Sequence, residues 1–253
     1  MRILPKFILP LLYVSAVVIV LGAVPASSQE TLKEANELDQ KVSKLYQAGK
    51  YADAIPLARK ALELREKALG PMHPSVALNL SSLARLYYET GQYAKAEPLH
   101  QRSLTILEKA LGPDHPQVAT SLHNLASLYD ETGQYAKAEP LFQRSLAILE
   151  KALGPDHPDV AMSLNGLAEL YRKTSEYAKA EPLYQRSLAI LEKALGPTHP
   201  HVATSLHNLA LLYTTAGEYA KAEPLVQRSL AIKEKTLGPN HPDVAENLND
   251  LAA

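Results

Sequence analysis

The stretch "LGPDHP" at Leu111–Pro116 recurs unchanged at Leu153–Pro158. Three close variants complete the series: "LGPMHP" at Leu69–Pro74, "LGPTHP" at Leu195–Pro200 and "LGPNHP" at Leu237–Pro242. Each member begins 42 residues after the one before it. A fixed period of this length is typical of a repeat protein, in which one supersecondary unit is stacked several times. The period therefore indicates the architecture before any single residue does.

One repeat is predicted to be a pair of helices. Within Pro116–Thr132 the apolar residues fall at steps of three and four, which favours an amphipathic helix. The segment Tyr135–Ala152 shows the same spacing. Gly133 lies between the two segments and can reverse the chain at a positive φ. The sequence therefore predicts one helical hairpin for every 42 residues.

The LGPDHP stretch itself is interpreted as a joint between hairpins. Gly112 is expected to end a helix in the left-handed helical conformation, and Pro113 prevents its continuation. Pro116 fits the first turn of the next helix, where its missing N–H costs nothing. Asp114 and His115 lie at the entry of that helix, although histidine is not a favoured N-cap residue.

A metal site is not expected at the joints. The joint histidines are His73, His115, His157, His199 and His241. Neighbouring hairpins pack ~8–10 Å apart, whereas zinc binds nitrogen at ~2 Å, so these histidines cannot share an ion. The one close pair, His199 and His201, has no third ligand nearby in the sequence. We therefore predict no metal and no cofactor.

Catalysis is not expected either. Serine and glutamate residues recur at a fixed phase of the repeat, whereas a catalytic site needs a singular constellation of groups. The sequence has no glycine-rich phosphate loop and no His-Glu-x-x-His motif. The chain is therefore predicted not to be an enzyme.

The composition excludes further classes of function. The chain has 26 Lys and Arg against 27 Asp and Glu, which gives a formal charge of −1. This balance leaves no basic excess to neutralise a phosphate backbone, so nucleic acid is not an expected partner. Cysteine is absent, which removes disulfides, thiolate nucleophiles and Cys-ligated metal centres.

The first residues have the order of a secretory signal. Arg2 and Lys6 precede an apolar run of 18 residues at Phe7–Val24, and small residues follow as far as Ser28. We predict a signal peptide at residues 1–26, with cleavage after Ala26. The run is also close to the length that spans a bilayer, so an uncleaved anchor in the inner membrane is the alternative. Either way, the rest of the chain is expected to be extracytoplasmic, periplasmic or secreted.

The repeat, "LGPDHPxVAxSLxNLAxLYxxTGxYAKAEPLxQRSLAILEKA", resembles the tetratricopeptide repeat in the long variety found in kinesin light chains. The resemblance covers the chain from about Thr31 to Ala253. It implies an all-α fold, an α-α superhelix or solenoid with five full hairpins and a terminal half-repeat. The repeats fall at about 31–68, 73–110, 115–152, 157–194, 199–236 and, in part, 241–253, within a domain at 27–253.

The resemblance also implies a concave groove lined by the first helix of each hairpin. In the resembled family, asparagines in this groove hold the backbone of an extended peptide, and an amide side chain can donate and accept at once. Asn124 and Asn208 lie at that phase. His123 and His207 precede them and are expected to be exposed, either with no role or as groups whose titration makes binding pH-sensitive. The remaining candidate groove residues are Asn165, Arg85, Tyr88, Arg172 and Lys173.

Two functions follow from the resemblance. The first is a non-catalytic scaffold, expected to be monomeric, that binds an extended peptide or a partner domain in the groove. The second is a regulatory or substrate-recognition arm of a larger enzyme, for example a fusion with a caspase-like peptidase that continues after residue 253. The unfinished sixth hairpin favours the second function, and the lack of any catalytic domain in the sequence favours the first.

Overall fold

The computed structural model describes residues 26–238 and, beyond them, His241, Val244, Ala245 and Asn247. Residues 26–238 form ten α-helices and no strand. The helices are α1 (Ala26–Gln47), α2 (Tyr51–Leu69), α3 (Pro74–Glu89), α4 (Tyr93–Leu111), α5 (Pro116–Glu131), α6 (Tyr135–Leu153), α7 (Pro158–Lys173), α8 (Tyr177–Leu195), α9 (Pro200–Thr215) and α10 (Tyr219–Leu237). The short connection within each pair makes its two helices antiparallel. The predicted solenoid of five hairpins is confirmed.

The ends of the chain are described only in part. The predicted signal or anchor segment at residues 1–26 lies outside the described residues, apart from Ala26. Most of the predicted half-repeat at 241–253 lies outside them too, but Val244 and Asn247 are buried. None of the helices among the described residues combines the length and the apolar character that a membrane crossing requires.

The core consists of two clusters that follow the stack. One contains Leu83 and its equivalents Leu125, Leu167 and Leu209, each at most 5 % exposed. The other contains Leu80, Leu122, Leu164 and Leu206, which are fully buried. Since every period adds the same apolar residues, each hairpin packs on its neighbours in the same way, and stability is close to a sum over repeats and their interfaces.

Ser175 occupies the turn of the fourth hairpin, where the other turns have glycine. Its φ is 63°, and it is the one non-glycine residue with a positive φ in the described part of the chain. A side chain in this conformation brings Cβ close to the following carbonyl oxygen and costs ~1–2 kcal/mol. The fourth turn is therefore strained relative to the equivalent turn at Gly133, whose φ is 72°.

The joint glycines differ from expectation. Gly112 has φ 88° and ψ 157°, so the prediction of a left-handed helical residue is wrong in ψ. This region of backbone space is open essentially to glycine alone. The N–H of Gly112 donates to the carbonyl of Glu108, which completes the last turn of α4 before the chain leaves in an extended direction.

The joint histidines are N-caps, although histidine is not a favoured residue there. His115 Nδ1 accepts a hydrogen bond from the backbone N–H of Gln117 at 3.2 Å. Pro116 has no N–H, so Gln117 is the first residue of α5 with a donor to satisfy. His73, His157 and His199 make the equivalent bond at 3.1–3.2 Å. The repeated histidine thus begins the first helix of the second, third, fourth and fifth hairpins.

The first hairpin contains a buried polar network where the middle hairpins have leucine. Arg65 is 9 % exposed and donates to Asn36, Asp39 and Asn79, with 2.6 Å to Asp39 Oδ2. Asn79 also donates to Asp39 Oδ1 at 2.8 Å. The residue equivalent to Arg65 is Leu107 in the second hairpin. The network therefore satisfies a buried charge at the junction of α1, α2 and α3.

Candidate peptide-binding groove

The first helices of the hairpins form the inner side of the stack. Among the described helices, α7 contacts α5 and α9, the first helices of its neighbours, whereas second helices make no comparable contacts with one another. Around α7 the first helices are therefore closer together than the second helices, and this part of the stack curves toward them. We use "groove" for the surface of α1, α3, α5, α7 and α9 on that side.

Two groove asparagines have uncommitted amides. Asn124 on α5 and Asn208 on α9 are both half-buried. No side chain or backbone group in the described part of the chain hydrogen-bonds either amide. Asn165 on α7 is also half-buried, and its Oδ1 is buried without a partner among the described residues. Asn124 and Asn208 thus share one phase of the groove helices, whereas Asn165 lies at the phase of His123.

The prediction that His123 is exposed is wrong. His123 is 6 % exposed, and its ring meets the Phe142 ring edge-on with centroids 5.2 Å apart. Burial lowers its pKa to about 4, so it does not titrate near neutral pH. His207, two repeats later, is half-buried. The two positions differ because the residue equivalent to Phe142 in the fifth hairpin is Val226, which offers no ring.

Gly166 belongs to the same packing unit. A Cβ atom at this position would lie 2.7 Å from Phe142 Cε1 and 2.9 Å from His123 Cε1. Glycine, at the phase where Asn124 and Asn208 stand, lets both rings pack against the α7 backbone. Gly166 is itself buried. The middle of the groove is therefore closed by packing, and its uncommitted amides lie on either side.

The cations predicted to line the groove are engaged within the protein. Arg172 makes two hydrogen bonds to Glu169, at 2.9 Å and 2.6 Å. Tyr184 donates to the same carboxylate at 2.8 Å, and burial next to Glu169 raises the pKa of its phenol well above the usual value. Lys173 binds Asp130 at 2.7 Å. Neither Arg172 nor Lys173 is thus presented to a ligand as an unpaired charge.

At each of the first three junctions, an edge site lies where the C-terminal end of one groove helix meets the next hairpin. The first edge site contains Tyr46, Tyr51, Arg85 and Glu89. The second contains the residues 42 positions later, Tyr88, Tyr93, Ser127 and Glu131. The third contains Asp130, Tyr135, Glu169 and Lys173. Each site combines residues from two adjacent hairpins.

The second edge site includes residues that the sequence did not indicate. Tyr93 begins α4, a second helix, yet its hydroxyl donates to Glu131 of the next hairpin at 3.4 Å. Its ring lies 5.5 Å from the Tyr88 ring at an interplanar angle of 61°. The tyrosine at this position recurs in every hairpin, which favoured a framework role over a site. Comparing the residues that surround it in each repeat is the signal that could have revealed the site.

The close histidine pair shows no metal-site geometry. The rings of His199 and His201 are 5.0 Å apart, and His199 Nδ1 accepts the capping bond of α9. In the described part of the chain, no three His, Asp or Glu residues lie close enough together to hold a metal ion.

A family model of the tetratricopeptide repeat matches the chain at residues 43–109, 82–151, 131–193 and 159–235. A solved structure with nearly identical repeats, a kinesin light chain-like protein of Podospora anserina, is 30 % identical. It superposes with a TM-score of 0.67 over 80 % of this chain and 95 % of its own. BtubC (BKLC) of P. vanneervenii is 26 % identical, with a TM-score of 0.67 over 86 % and 92 %. No curated protein sequence matches.

A more distant similarity concerns the fold alone. Aspartyl phosphate phosphatase F of Bacillus subtilis is 16 % identical and superposes with a TM-score of 0.70. The match covers 89 % of this chain and 61 % of the phosphatase. The same stack of helical hairpins therefore occurs in proteins of dissimilar sequence.

Proposed function

Because the chain belongs to the tetratricopeptide repeat family, we propose that it is a non-catalytic scaffold that holds an extended peptide segment of a partner protein in its groove. The fold is that of a protein interaction module. The location of binding in the groove and the extended form of the ligand are the specific parts of the proposal.

The uncommitted amides of Asn124 and Asn208 carry the proposal. Neither amide has a partner among the described residues, so both are available to donate to and accept from a ligand. A peptide unit matches an amide side chain because each has one donor and one acceptor group. Such contacts hold a backbone without reading its side chains.

The spacing of the two asparagines suits an extended segment. They lie two repeats apart, which at a helix-packing distance of ~8–10 Å per step gives ~16–20 Å. An extended chain rises ~3.3 Å per residue, so about five or six residues reach from one amide to the other.

Site-specific crosslinking tests the proposal. A photoreactive residue at Thr120, exposed on α5, should capture a partner in cells of the native host, whereas one at Gln143, exposed on α6, should not. Mass spectrometry of the crosslinked peptide then gives the bound segment. Equal capture from both positions, or capture from Gln143 alone, would place the partner outside the groove.

We also propose that the chain is exported and acts as a monomer. The support for export is the order of charged, apolar and small residues at 1–26. Intact-mass measurement of protein from the periplasm of a bacterial host should show the loss of about 26 residues. A full-length chain in the membrane fraction would favour the anchor, and a full-length soluble chain in the cytoplasm would contradict both. Analytical ultracentrifugation at micromolar concentration tests whether the chain is monomeric.

A further inference from the structure

The first edge site holds a guanidinium group. Arg85 lies over the ring of Tyr46, with 4.5 Å from its guanidinium carbon to the ring centroid. Its Nε is 3.8 Å from Glu89 Oε1, and the Tyr46 hydroxyl donates to the same oxygen at 2.6 Å. Tyr51 packs against Tyr46 with ring centroids 5.0 Å apart. A tyrosine face next to a carboxylate is a favourable environment for a guanidinium, which stacks and pairs at once.

The second edge site keeps this environment but has no arginine. The second edge site has Tyr88, Tyr93 and Glu131, which lie one period after Tyr46, Tyr51 and Glu89. Its residue equivalent to Arg85 is Ser127. The Ser127 hydroxyl donates to the carbonyl of His123 at 2.9 Å, within its own helix. The second edge site thus contains the tyrosine pair and the carboxylate of the first without its cation.

The charges of the surrounding residues leave Glu131 without a direct ion pair, with Lys173 interacting with it only through space. The groove in this region contains four carboxylates and three cations: Glu89, Asp130, Glu131 and Glu169 against Arg85, Arg172 and Lys173. Arg85, Arg172 and Lys173 pair with Glu89, Glu169 and Asp130. Among the described residues Glu131 forms no ion pair, and the bond that it accepts from Tyr93, at 3.4 Å, is long.

The third edge site supplies its own cation. There the residue equivalent to Tyr88 is Asp130, and the residue equivalent to Glu131 is Lys173, which pairs with Asp130 at 2.7 Å. The first and third edge sites are therefore satisfied from within the chain. The second differs from both in having a carboxylate with no direct ion pair beside two tyrosine rings.

We propose that Tyr88, Tyr93 and Glu131 form a subsite for the guanidinium group of an arginine in the bound segment. This inference rests on the proposed function. Tyr88 and Glu131 are half-buried and so remain accessible from the groove. Asn124 lies three residues before Ser127 on α5, ~4.5 Å along the helix axis. A backbone held at Asn124 therefore passes within reach of the subsite. Arginine fits better than lysine because its planar head stacks on a ring while it pairs with a carboxylate.

Two matched peptides test the subsite. The probes are acetylated, amidated heptapeptides, identical except for arginine or its neutral isostere citrulline at the centre, titrated into the full chain and followed by NMR. A charge-assisted hydrogen bond together with ring stacking should make the arginine peptide bind ~10-fold more tightly. Glu131→Gln should remove this preference. Glu63→Gln, an exposed glutamate of α2 paired only with Lys60, should leave it unchanged.

Ser127→Arg provides a second variant that is expected to fold. It copies Arg85 of the first edge site, so the internal guanidinium should occupy the subsite and abolish the preference for arginine without lowering the unfolding midpoint. Equal affinity of the two peptides for the unmodified chain would overturn the subsite. The subsite would also be overturned if neither peptide showed saturable binding up to ~10 mM. A Kd above that concentration corresponds to a binding free energy of less than ~3 kcal/mol.

The outcomes separate this inference from the proposed function. If both peptides bind equally and Asn124→Ala weakens both, the groove binds backbone and the arginine subsite alone fails. If neither peptide binds, the arginine subsite fails, and the segment captured by crosslinking at Thr120 decides the proposed function independently.

Discussion

His115 Nδ1 accepts a hydrogen bond from the backbone N–H of Gln117 at 3.2 Å, and this bond begins α5. Because Nδ1 accepts this bond, the ring nitrogen left to donate a hydrogen bond is Nε2. The same bond recurs in the next hairpin, from Asp159 to His157, at 3.2 Å. The histidine of the joint thus has a structural role that its residue type alone does not suggest.

The cap predicts the effect of two substitutions at one position. His115→Ala should lower the free energy of unfolding by ~1 kcal/mol, the usual cost of losing an N-cap. His115→Asn should stay within ~0.5 kcal/mol of the unmodified chain, because asparagine is itself a favoured N-cap. Urea unfolding followed by circular dichroism measures both. Equal losses would show that the imidazole acts through packing and not through the capping bond.

Two buried histidines predict acid sensitivity. Burial lowers the pKa of His100 and of His123 from 6.5 to about 4. Between these values the unfolded chain binds protons that the folded chain does not, so stability is fully present above pH 6.5 and falls as the pH drops toward 4. Each histidine contributes ~3 kcal/mol to this loss.

A variant isolates the contribution of His100. His100→Phe places at this position the residue that the next hairpin has at Phe142. The variant should lose less stability between pH 6.5 and 4 than the unmodified chain, with thermal unfolding at several pH values as the measurement. An unchanged pH dependence would mean that His100 is not protonated on unfolding in this range.

The strained turn at Ser175 predicts a stabilising substitution. Ser175→Gly should raise the free energy of unfolding by ~1 kcal/mol, since glycine adopts a positive φ without the steric cost. Gly133→Ala should change it in the opposite direction by a similar amount. A Cβ at Gly133 would meet nothing within 4 Å, so the backbone alone decides the effect. A destabilised Ser175→Gly variant would indicate that the serine side chain makes a contribution larger than the strain.

The network around Arg65 predicts a sensitive site at the first hairpin. Asp39→Ala leaves the buried guanidinium without its carboxylate and should cost ~2–4 kcal/mol, less than a fully buried pair because Asp39 is one-third exposed. Asp114→Ala, which breaks the exposed pair with Lys151, should change stability little. Chemical unfolding measures the stability of both variants. Similar small losses would show that water solvates Arg65 in the folded protein.

The fold follows from the sequence because every repeat presents the same apolar spacing and the same turns. The period predicts hairpins, and the contacts of the described residues confirm them. The details at the joints do not follow in the same way. General preferences disfavour histidine as an N-cap, but the proline at the next position leaves only one nearby donor to satisfy. The ψ of Gly112 depends on the direction in which the chain leaves α4 toward the next hairpin.

The groove was less predictable than the fold because its character depends on contacts between helices of different hairpins. His123 and His207 have the same phase, yet only His123 meets a ring, from Phe142 on α6. Arg172 and Lys173 were predicted as groove residues, but the pairing of each with Glu169 or Asp130 depends on the packing of α5 and α7. The period identifies equivalent positions in the repeats. The contacts of each side chain depend on the variable residues around it.

The most direct measurement is the affinity of the chain for the segment captured in the groove. Calorimetry should show ~10-fold or greater weakening when Asn124→Ala and Asn208→Ala are combined, because each leaves hydrogen bonds of the ligand backbone unmade. Stability should change by less than ~0.5 kcal/mol for each substitution, since neither amide has a partner among the residues that the structure describes. Lys137→Ala, exposed on α6, should bind as the unmodified chain does. Undiminished binding by the double variant would contradict peptide capture in the groove.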